Sequence, residues 1–362
     1  MTTRIAIAAG GTAGHVVPAL AIADALRASG AEVEFLGGER AEGELVPAAG
    51  YPFHRLAVAG LDRRNPLLAA RAVGLASAAT LRARRILHRM GAGAVIGGGG
   101  YVAGPTGLAA ATLRLPLFLT ESDSHLGLAN RALAALARRV FLAFPIEGRS
   151  GRRYAVTGRP VPAGTGQADR DESRRRLGLP ADGTCLLVFG GSIGARRLNE
   201  AAFEAFAPGA PFTVLHACGR RDFPDLEERL RAAGSPPHYH LKPDVEPFAH
   251  ALAAADLAVA RAGGSVFELA AAGLPTILVP YPYATAGHQE GNARFMAAGG
   301  AAVVVPDAEL DPPRLPREVG ALIAAPDRLQ EMRSAALKLA RPDAAERIAA
   351  EVLEGVRSTG TK

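Results

Sequence analysis

The sequence predicts an α/β protein of two doubly wound, parallel-sheet domains. Three observations predict it. Short apolar runs alternate with Ala- and Leu-rich helical stretches through the first half of the chain. Around Gly158 that alternation stops: Pro160, Pro162, Gly164 and Gly166 precede a charged run from Asp169 to Arg176, which reads as an interdomain linker and then a solvated helix. The alternation then resumes. Gly190-Gly-Ser-Ile-Gly-Ala-Arg196 follows the first strand of the second half, as Gly10-Gly-Thr-Ala-Gly-His15 follows the first strand of the chain. At 362 residues there is enough chain for two domains of ordinary size. They are placed at 1–158 and 159–342, with a last amphipathic helix at 343–356 packing back on the first.

Composition narrows the class. Hydrophobic residues make up 49% and charged residues 21%, as in a globular protein. No apolar run reaches the roughly 18–20 residues of a membrane span. Met1 to Ala9 runs directly into a glycine loop and does not read as a signal peptide. Cys185 and Cys218 are the only cysteines, so a reducing cytoplasm and no disulfide framework are expected. The histidines are scattered and show no metal-ligand spacing.

Arg4 to Ala9 is the first strand, and the helix after the glycine loop runs to about Ala28. Glu32 to Leu36 is the next strand. This β-loop-α-β unit opens a doubly wound sheet. The glycines Gly10, Gly11 and Gly14 do not make G-x-G-x-x-G, and Glu39 lies past a Gly37-Gly38 pair, so a dehydrogenase reading is weak. His15 starts the helix near the strand ends, where ligands bind in open α/β sheets. Two readings stand for it. It takes a proton from a hydroxyl, or it hydrogen-bonds a neighbouring loop.

Eight arginines and one acid, Asp62, lie between Arg55 and Arg89, interleaved with Leu67, Leu68, Val73, Leu75 and Leu81. An anionic membrane surface suits such a stretch, and so does an ordinary surface helix. No aromatic side chain is present to stack on bases, so no nucleic-acid partner is expected. The stretch Ala94 to Pro105 is a strand followed by glycines, and the four consecutive ones, Gly97–Gly100, bring the backbone close to something bulky or anionic. Pro116 to Thr120 and Val140 to Ala143 are further strands.

In the second half, Thr184 to Phe189, Phe212 to Ala217, Ala255 to Ala260 and Thr276 to Pro280 read as strands. Between the last two lies Arg261-Ala-Gly-Gly-Ser-Val-Phe-Glu268, which runs on to Pro275. Gly263 and Gly264 turn the chain, Ser265 caps a helix, and Gly273 and Pro275 end it. Unpaired N–H groups at the helix start make an anion site. Glu268 either reaches a ribose diol beside that anion or only closes a capping box. Gln289 and Asn292, in the polar loop after Pro280, either hydrogen-bond a sugar or face solvent. Two such domains imply a cleft between them.

Taken together, Gly10 to His15, Gly98 to Pro105, Gly190 to Arg196, Glu268 to Pro275 and Gln289 to Asn292 resemble the MurG family of bacterial N-acetylglucosaminyltransferases. The resemblance runs from the first strand to about Val305. It implies a GT-B fold, two Rossmann-like domains facing across a cleft. It implies UDP-N-acetylglucosamine (UDP-GlcNAc) as donor, as a substrate and with no cofactor, and lipid I as acceptor. The place implied is the cytoplasmic face of the cell membrane, peripherally bound, with other cell-wall synthesis proteins as partners. By position, Thr12, Ala13 and Gly14 approach the donor and Ser192 meets its diphosphate. Val245 holds uracil through its backbone. Gly264, Ser265, Val266 and Phe267 supply helix N–H groups, Glu268 takes the ribose and Gln289 the sugar hydroxyls. Asn130 lies toward the acceptor.

Two segments depart from the family pattern. Thr120-Glu-Ser-Asp123 stands where His-Glu-Gln-Asn is usual. Pro162 replaces a donor-contacting arginine, for which Arg159 is the candidate substitute. On this reading the acceptor's C4 hydroxyl displaces UDP with inversion and His15 is the base. Helix N-termini and the Gly190 loop stabilise the departing UDP, as no Asp-x-Asp metal motif is evident. The rivals are a transferase with another acceptor, a UDP-GlcNAc 2-epimerase, and a non-catalytic nucleotide-binding adaptor.

Overall fold

The computed structural model describes residues 2–58, 66–191, 195–284, 287–311 and 313–360. The chain divides into two compact units, Met1–Ala163 with Arg341–Lys362, and Gly164–Ala340. Each is built on one parallel sheet.

Among the described residues the first unit has seven strands: β1 Arg4–Ala8, β2 Glu32–Gly37, β3 Phe53–Arg55, β4 Ala94–Gly97, β5 Leu117–Glu121, β6 Arg139–Leu142 and β7 Tyr154–Val156. Their order in the sheet is β3-β2-β1-β4-β5-β6-β7, every pair parallel. The central strands are apolar throughout because helices cover both faces. Successive side chains of a strand point to opposite faces. Ile5 and Ile7 accordingly join one core with Val16, Ile22 and Leu26, while Ala6 and Ala8 join the other with Ala83, Leu87 and Val102. The chain's last helix, Ala344–Gly360, lies in this unit and contributes Ile348, Val352 and Leu353 to the first of those cores.

Among the described residues the second unit has six strands: β8 Cys185–Phe189, β9 Thr213–Ala217, β10 Tyr239–Lys242, β11 Leu257–Ala260, β12 Thr276–Leu278 and β13 Ala302–Val304. Their order is β10-β9-β8-β11-β12-β13, again all parallel. Leu186, Val188, Val259 and Ile277 pack against Leu198, Phe206, Leu315 and Val319 on one face.

In both sheets the strand order reverses once, between β1 and β4 and between β8 and β11. Open α/β sheets bind ligands in the crevice at that reversal. The loops that leave these four strands are the glycine-rich ones.

The linker region differs from expectation in two ways. The helix Arg170–Leu177 is not simply solvated. Arg174 is buried and donates to Asp256 at 3.0 Å and to the carbonyl of Ala254 at 3.0 Å. The Asp256 carboxylate in turn accepts the Cys185 N–H at the start of β8. The run also contains Asp169-Arg-Asp171, which does have Asp-x-Asp spacing. Asp169 is the helix's N-cap, and its carboxylate accepts the Glu172 N–H at 2.8 Å. A helix start explains that pair of acids.

Candidate active site

In the first unit the glycine loop ends at Thr12, whose extended backbone (φ −136°, ψ 159°) starts the helix Ala13–Ala28. Thr12 does not cap that helix with its side chain. Its carbonyl accepts the N–H groups of His15 and Val16, and its Oγ1 lies 3.3 Å from His15 Nδ1. Ala13 and Gly14 are first-turn residues, whose N–H groups have no intrahelical partner. The structure thus brings Thr12, Ala13, Gly14 and His15 together on one helix start.

The four-glycine run serves this loop. A Cβ at Gly98 would lie 2.9 Å from Ala9 Cβ, and one at Gly99 would lie 2.6 Å from His15 Cδ2. A Cβ at Gly100, where φ is +73°, would collide with the carbonyl oxygen of Gly10. What the backbone approaches here is the neighbouring loop and the imidazole of His15.

Arg159 is buried. Its guanidinium donates to the carbonyl of Gly14 at 2.6 Å and reaches that of Ser122 at 3.5 Å. It therefore braces the start of the His15 helix. Asn130 is buried as well, with its amide donating to the Thr120 carbonyl and to Glu121 Oε2, both at 2.9 Å. Glu121 also accepts the N–H groups of Gly127 and Asp123. Burial raises the Glu121 carboxyl above the usual range, and the hydrogen bonds from Gly127 and Asn130 oppose that shift.

One residue of this site had no signal in the sequence. Glu42, on the first turn of the helix Ala41–Ala48, is fully buried. It accepts the N–H groups of Gly11 and Gly38 and the hydroxyl of Tyr101. Burial, more than the bond to Glu42, pushes the Tyr101 phenol up to about 12. From sequence Glu42 looks like one of two acids, with Glu44, that favour a helix N-terminus.

In the second unit the loop after β11 leads into the short helix Val266–Ala271. Ser265 holds the N-cap position with helical angles, and its side chain makes no cap bond. Neither Gly263 nor Gly264 takes a positive φ, so the sharp turn does not depend on the left-handed region. The N–H groups of Val266 and Phe267 close back on the carbonyls of Gly263 and Gly264 at 3.3 Å. That leaves those of Gly264 and Ser265 outside the turn's own bonds. Gly273, with φ +60°, ends the helix, and the N–H of Leu274 returns to the carbonyl of Leu269.

Gln289 and Asn292 sit on the helix His288–Ala298. The Gln289 side chain accepts the Tyr281 N–H at 2.9 Å, and its amide nitrogen lies 4.0 Å from a Cβ built on Gly263. Asn292 is fully buried and donates to the Ala262 carbonyl at 3.1 Å. It fixes the glycine turn from beneath, and its Oδ1 has no hydrogen-bond partner among the described residues. Glu268 is on the first turn of its helix. Arg261 is buried, ion-paired to Asp307 at 2.6 Å, and lies 5.6 Å over the ring of Tyr281. Val245 follows β10 with its side chain buried. Ser192 lies outside the described residues, as do Asp62, Arg63 and Arg64.

A second buried network ties the helix that follows β8 to β9 and to the loop after β9. Asn199, on the helix Arg196–Phe206, donates to the Cys218 carbonyl at 2.7 Å and to Asp222 at 2.9 Å. Its Oδ1 is thereby the group left to accept, so His216 Nε2, 3.1 Å away, carries the hydrogen. His216 Nδ1 then accepts the Tyr239 hydroxyl at 2.7 Å. Among the described residues no group of three or more His, Cys, Asp or Glu is placed to hold a metal ion.

The comparisons with known proteins agree with this layout. Residues 5–142 match the glycosyltransferase family 28 N-terminal domain, and residues 185–348 match the family 28 C-terminal domain. A Methylococcus capsulatus protein is 43% identical over 361 residues, covering 98% of this chain and 99% of its own. A Nitrosococcus oceani protein is 42% identical over 359 residues, covering 98% and 99%. Both carry the name UDP-N-acetylglucosamine–N-acetylmuramyl-(pentapeptide) pyrophosphoryl-undecaprenol N-acetylglucosamine transferase. The crystal structure of Acinetobacter baumannii MurG superposes with a TM-score of 0.78 at 29% identity, covering 98% of this chain and 100% of that one. Matches of this identity over nearly the whole of both chains mean that this chain belongs to glycosyltransferase family 28 and, within it, to the MurG family of N-acetylglucosaminyltransferases.

Proposed function

We propose that the protein transfers N-acetylglucosamine from UDP-GlcNAc to the C4 hydroxyl of the N-acetylmuramoyl sugar of lipid I, with inversion, to give lipid II for peptidoglycan. The observation that carries this reading is the end-to-end identity with transferases of that name, at 43% and 42%. The glycine loops at both strand-order reversals support it independently.

The roles follow from chemistry. The acceptor oxygen attacks the anomeric carbon as the bond from that carbon to the UDP oxygen breaks. The hydroxyl proton goes to His15 Nε2, which requires that Nδ1 carry hydrogen and donate it to Thr12 Oγ1. Arg159 holds the helix start that presents His15, with Asn130 and Glu121 shaping the adjoining loop. In the second unit, the N–H groups of Gly264 and Ser265 and the Ser192 loop meet the diphosphate. Glu268 takes the ribose diol and Val245 the uracil. Gln289 takes the sugar hydroxyls, while Asn292 holds the glycine turn in place. UDP-GlcNAc is a substrate, and the reaction as written needs no cofactor.

The acceptor is a membrane lipid, so a peripheral place on the cytoplasmic face of the membrane belongs to the same reading. Among the described residues no helix is long and apolar enough to cross a membrane. On the helix Pro66–Met90, Arg82, Arg84, Arg85 and Arg89 are exposed, and Leu81 is 59% exposed. Arginine heads around an outward leucine suit an anionic lipid surface.

The test is incubation with labelled UDP-GlcNAc, with and without lipid I, and analysis of both phases. Label in the lipid phase only when lipid I is present is expected. Release of UDP or of an epimer without lipid would identify a 2-epimerase, and transfer to a different lipid would replace the acceptor.

A further inference from the structure

We propose that Glu42 is a positioning residue for transfer, holding the two glycine loops of the first unit in the arrangement that aims His15. The inference rests on His15 being the base.

The geometry is specific. Glu42 Oε2 accepts the Gly11 N–H at 2.8 Å. Its Oε1 accepts the Gly38 N–H at 3.0 Å and the Tyr101 hydroxyl at 2.9 Å. Gly11, with φ +105°, is the residue before Thr12, and Thr12 accepts the His15 N–H and touches His15 Nδ1. Tyr101 lies two residues after Gly99, the glycine packed on the His15 ring. One carboxylate therefore holds both segments that grip the imidazole.

The surrounding sequence is shaped to it. A Cβ at Gly10 would lie 2.6 Å from Glu42 Oε1, and one at Gly37 would lie 2.8 Å from Glu42 Cγ. A Cβ at Gly38 would lie 3.0 Å from Oε1. The carboxylate is fully buried and is satisfied by these three donors at the start of its own helix. A buried acid so placed is unforgiving. Replacing one oxygen with an amide sets N–H against N–H and leaves a loop donor unpaired.

A displaced base changes the chemical step and leaves donor binding in the second unit alone. The experiment is a double-mutant cycle of Glu42→Gln and His15→Ala, with steady-state kinetics on UDP-GlcNAc and lipid I and with near-UV circular dichroism to check folding. Glu42→Gln is expected to lower kcat about 10- to 100-fold, the scale of a misplacement near 1 Å. The KM for UDP-GlcNAc should stay within about 2-fold. Added to His15→Ala it should cost less than about 3-fold more, because groups acting as a unit are non-additive. Wild-type kcat in Glu42→Gln, or a raised donor KM at full kcat, overturns the proposal. So do effects that multiply in the double variant. Full turnover in His15→Ala would defeat the base assignment instead, whatever Glu42→Gln does. Should Glu42→Gln fail to fold, Tyr101→Phe removes one of the three donors. A drop of about 2- to 10-fold in kcat at unchanged donor KM is then expected, and wild-type kcat contradicts the proposal.

Discussion

In the proposed mechanism, Thr12 selects the nitrogen of His15 that takes the proton. With Oγ1 at 3.3 Å from Nδ1, the imidazole hydrogen sits on Nδ1 when threonine accepts, and Nε2 is then the basic atom. Replacing His15 with Ala removes the proton acceptor while the second unit's loops still bind donor. Turnover should fall about 10²- to 10⁴-fold with the KM for UDP-GlcNAc nearly kept, as measured by initial rates at saturating lipid I; unchanged turnover would refute the base. Another histidine makes a pH prediction. Burial holds His216 far below its ordinary value, at about 3, against the opposing charge of Asp222. The unfolded chain binds a proton near pH 6.5 that the folded chain refuses until about pH 3. This stability is complete above pH 6.5 and is lost as pH falls toward 3, on the order of several kcal/mol in all. Urea unfolding between pH 7 and 4 should show a shallower pH slope in His216→Gln than in wild type; equal slopes would contradict the assignment. Such burial is invisible in sequence: His216 reads only as one polar residue in an apolar strand, and Glu42 as an exposed helix acid.

At the scale of elements, the central strands were legible and the margins were not. Apolar runs marked β1, β2, β4, β5, β6, β8, β9, β11 and β12. The strands not named from the sequence are β3, β7, β10 and β13, the edges of the two sheets; the first three carry no apolar run, whereas β13 lies within the apolar run Ala301–Val305. Each is three or four residues long and mostly half-exposed. An edge strand has one neighbour, little core to fill and no need of an apolar run. The glycine loops were legible as loops, yet their purpose was partly misread. The Gly97–Gly100 run packs on the first loop because side chains on its last three residues would strike Ala9, His15 or the Gly10 carbonyl. Two substitutions separate backbone strain from close packing. Gly30→Ala, at φ +84° with open space around it, should cost about 1 kcal/mol. Gly100→Ala adds a collision with backbone to a comparable φ and should cost about 2–4 kcal/mol. Chemical denaturation reads both, and equal losses would contradict the packing argument.

For the whole molecule, the net charge of +6 is modest, and its concentration between Arg55 and Arg89 is what bears on lipid. The protein should sediment with vesicles containing anionic lipid and much less with neutral ones, and added salt should release it. Changing Arg82, Arg84, Arg85 and Arg89 to Ser should weaken that binding by about 1 kcal/mol per charge near the surface while leaving soluble donor affinity intact. Equal binding to neutral vesicles would remove the electrostatic part. Peptidoglycan synthesis itself turns on one bond. The most direct measurement is the linkage and anomeric configuration of the disaccharide formed from isotope-labelled UDP-GlcNAc and lipid I, by NMR of the released product. A β-1,4 N-acetylglucosaminyl bond to the muramoyl sugar is expected. An α-anomer, or label attached anywhere but that C4 oxygen, would contradict inverting transfer by this enzyme.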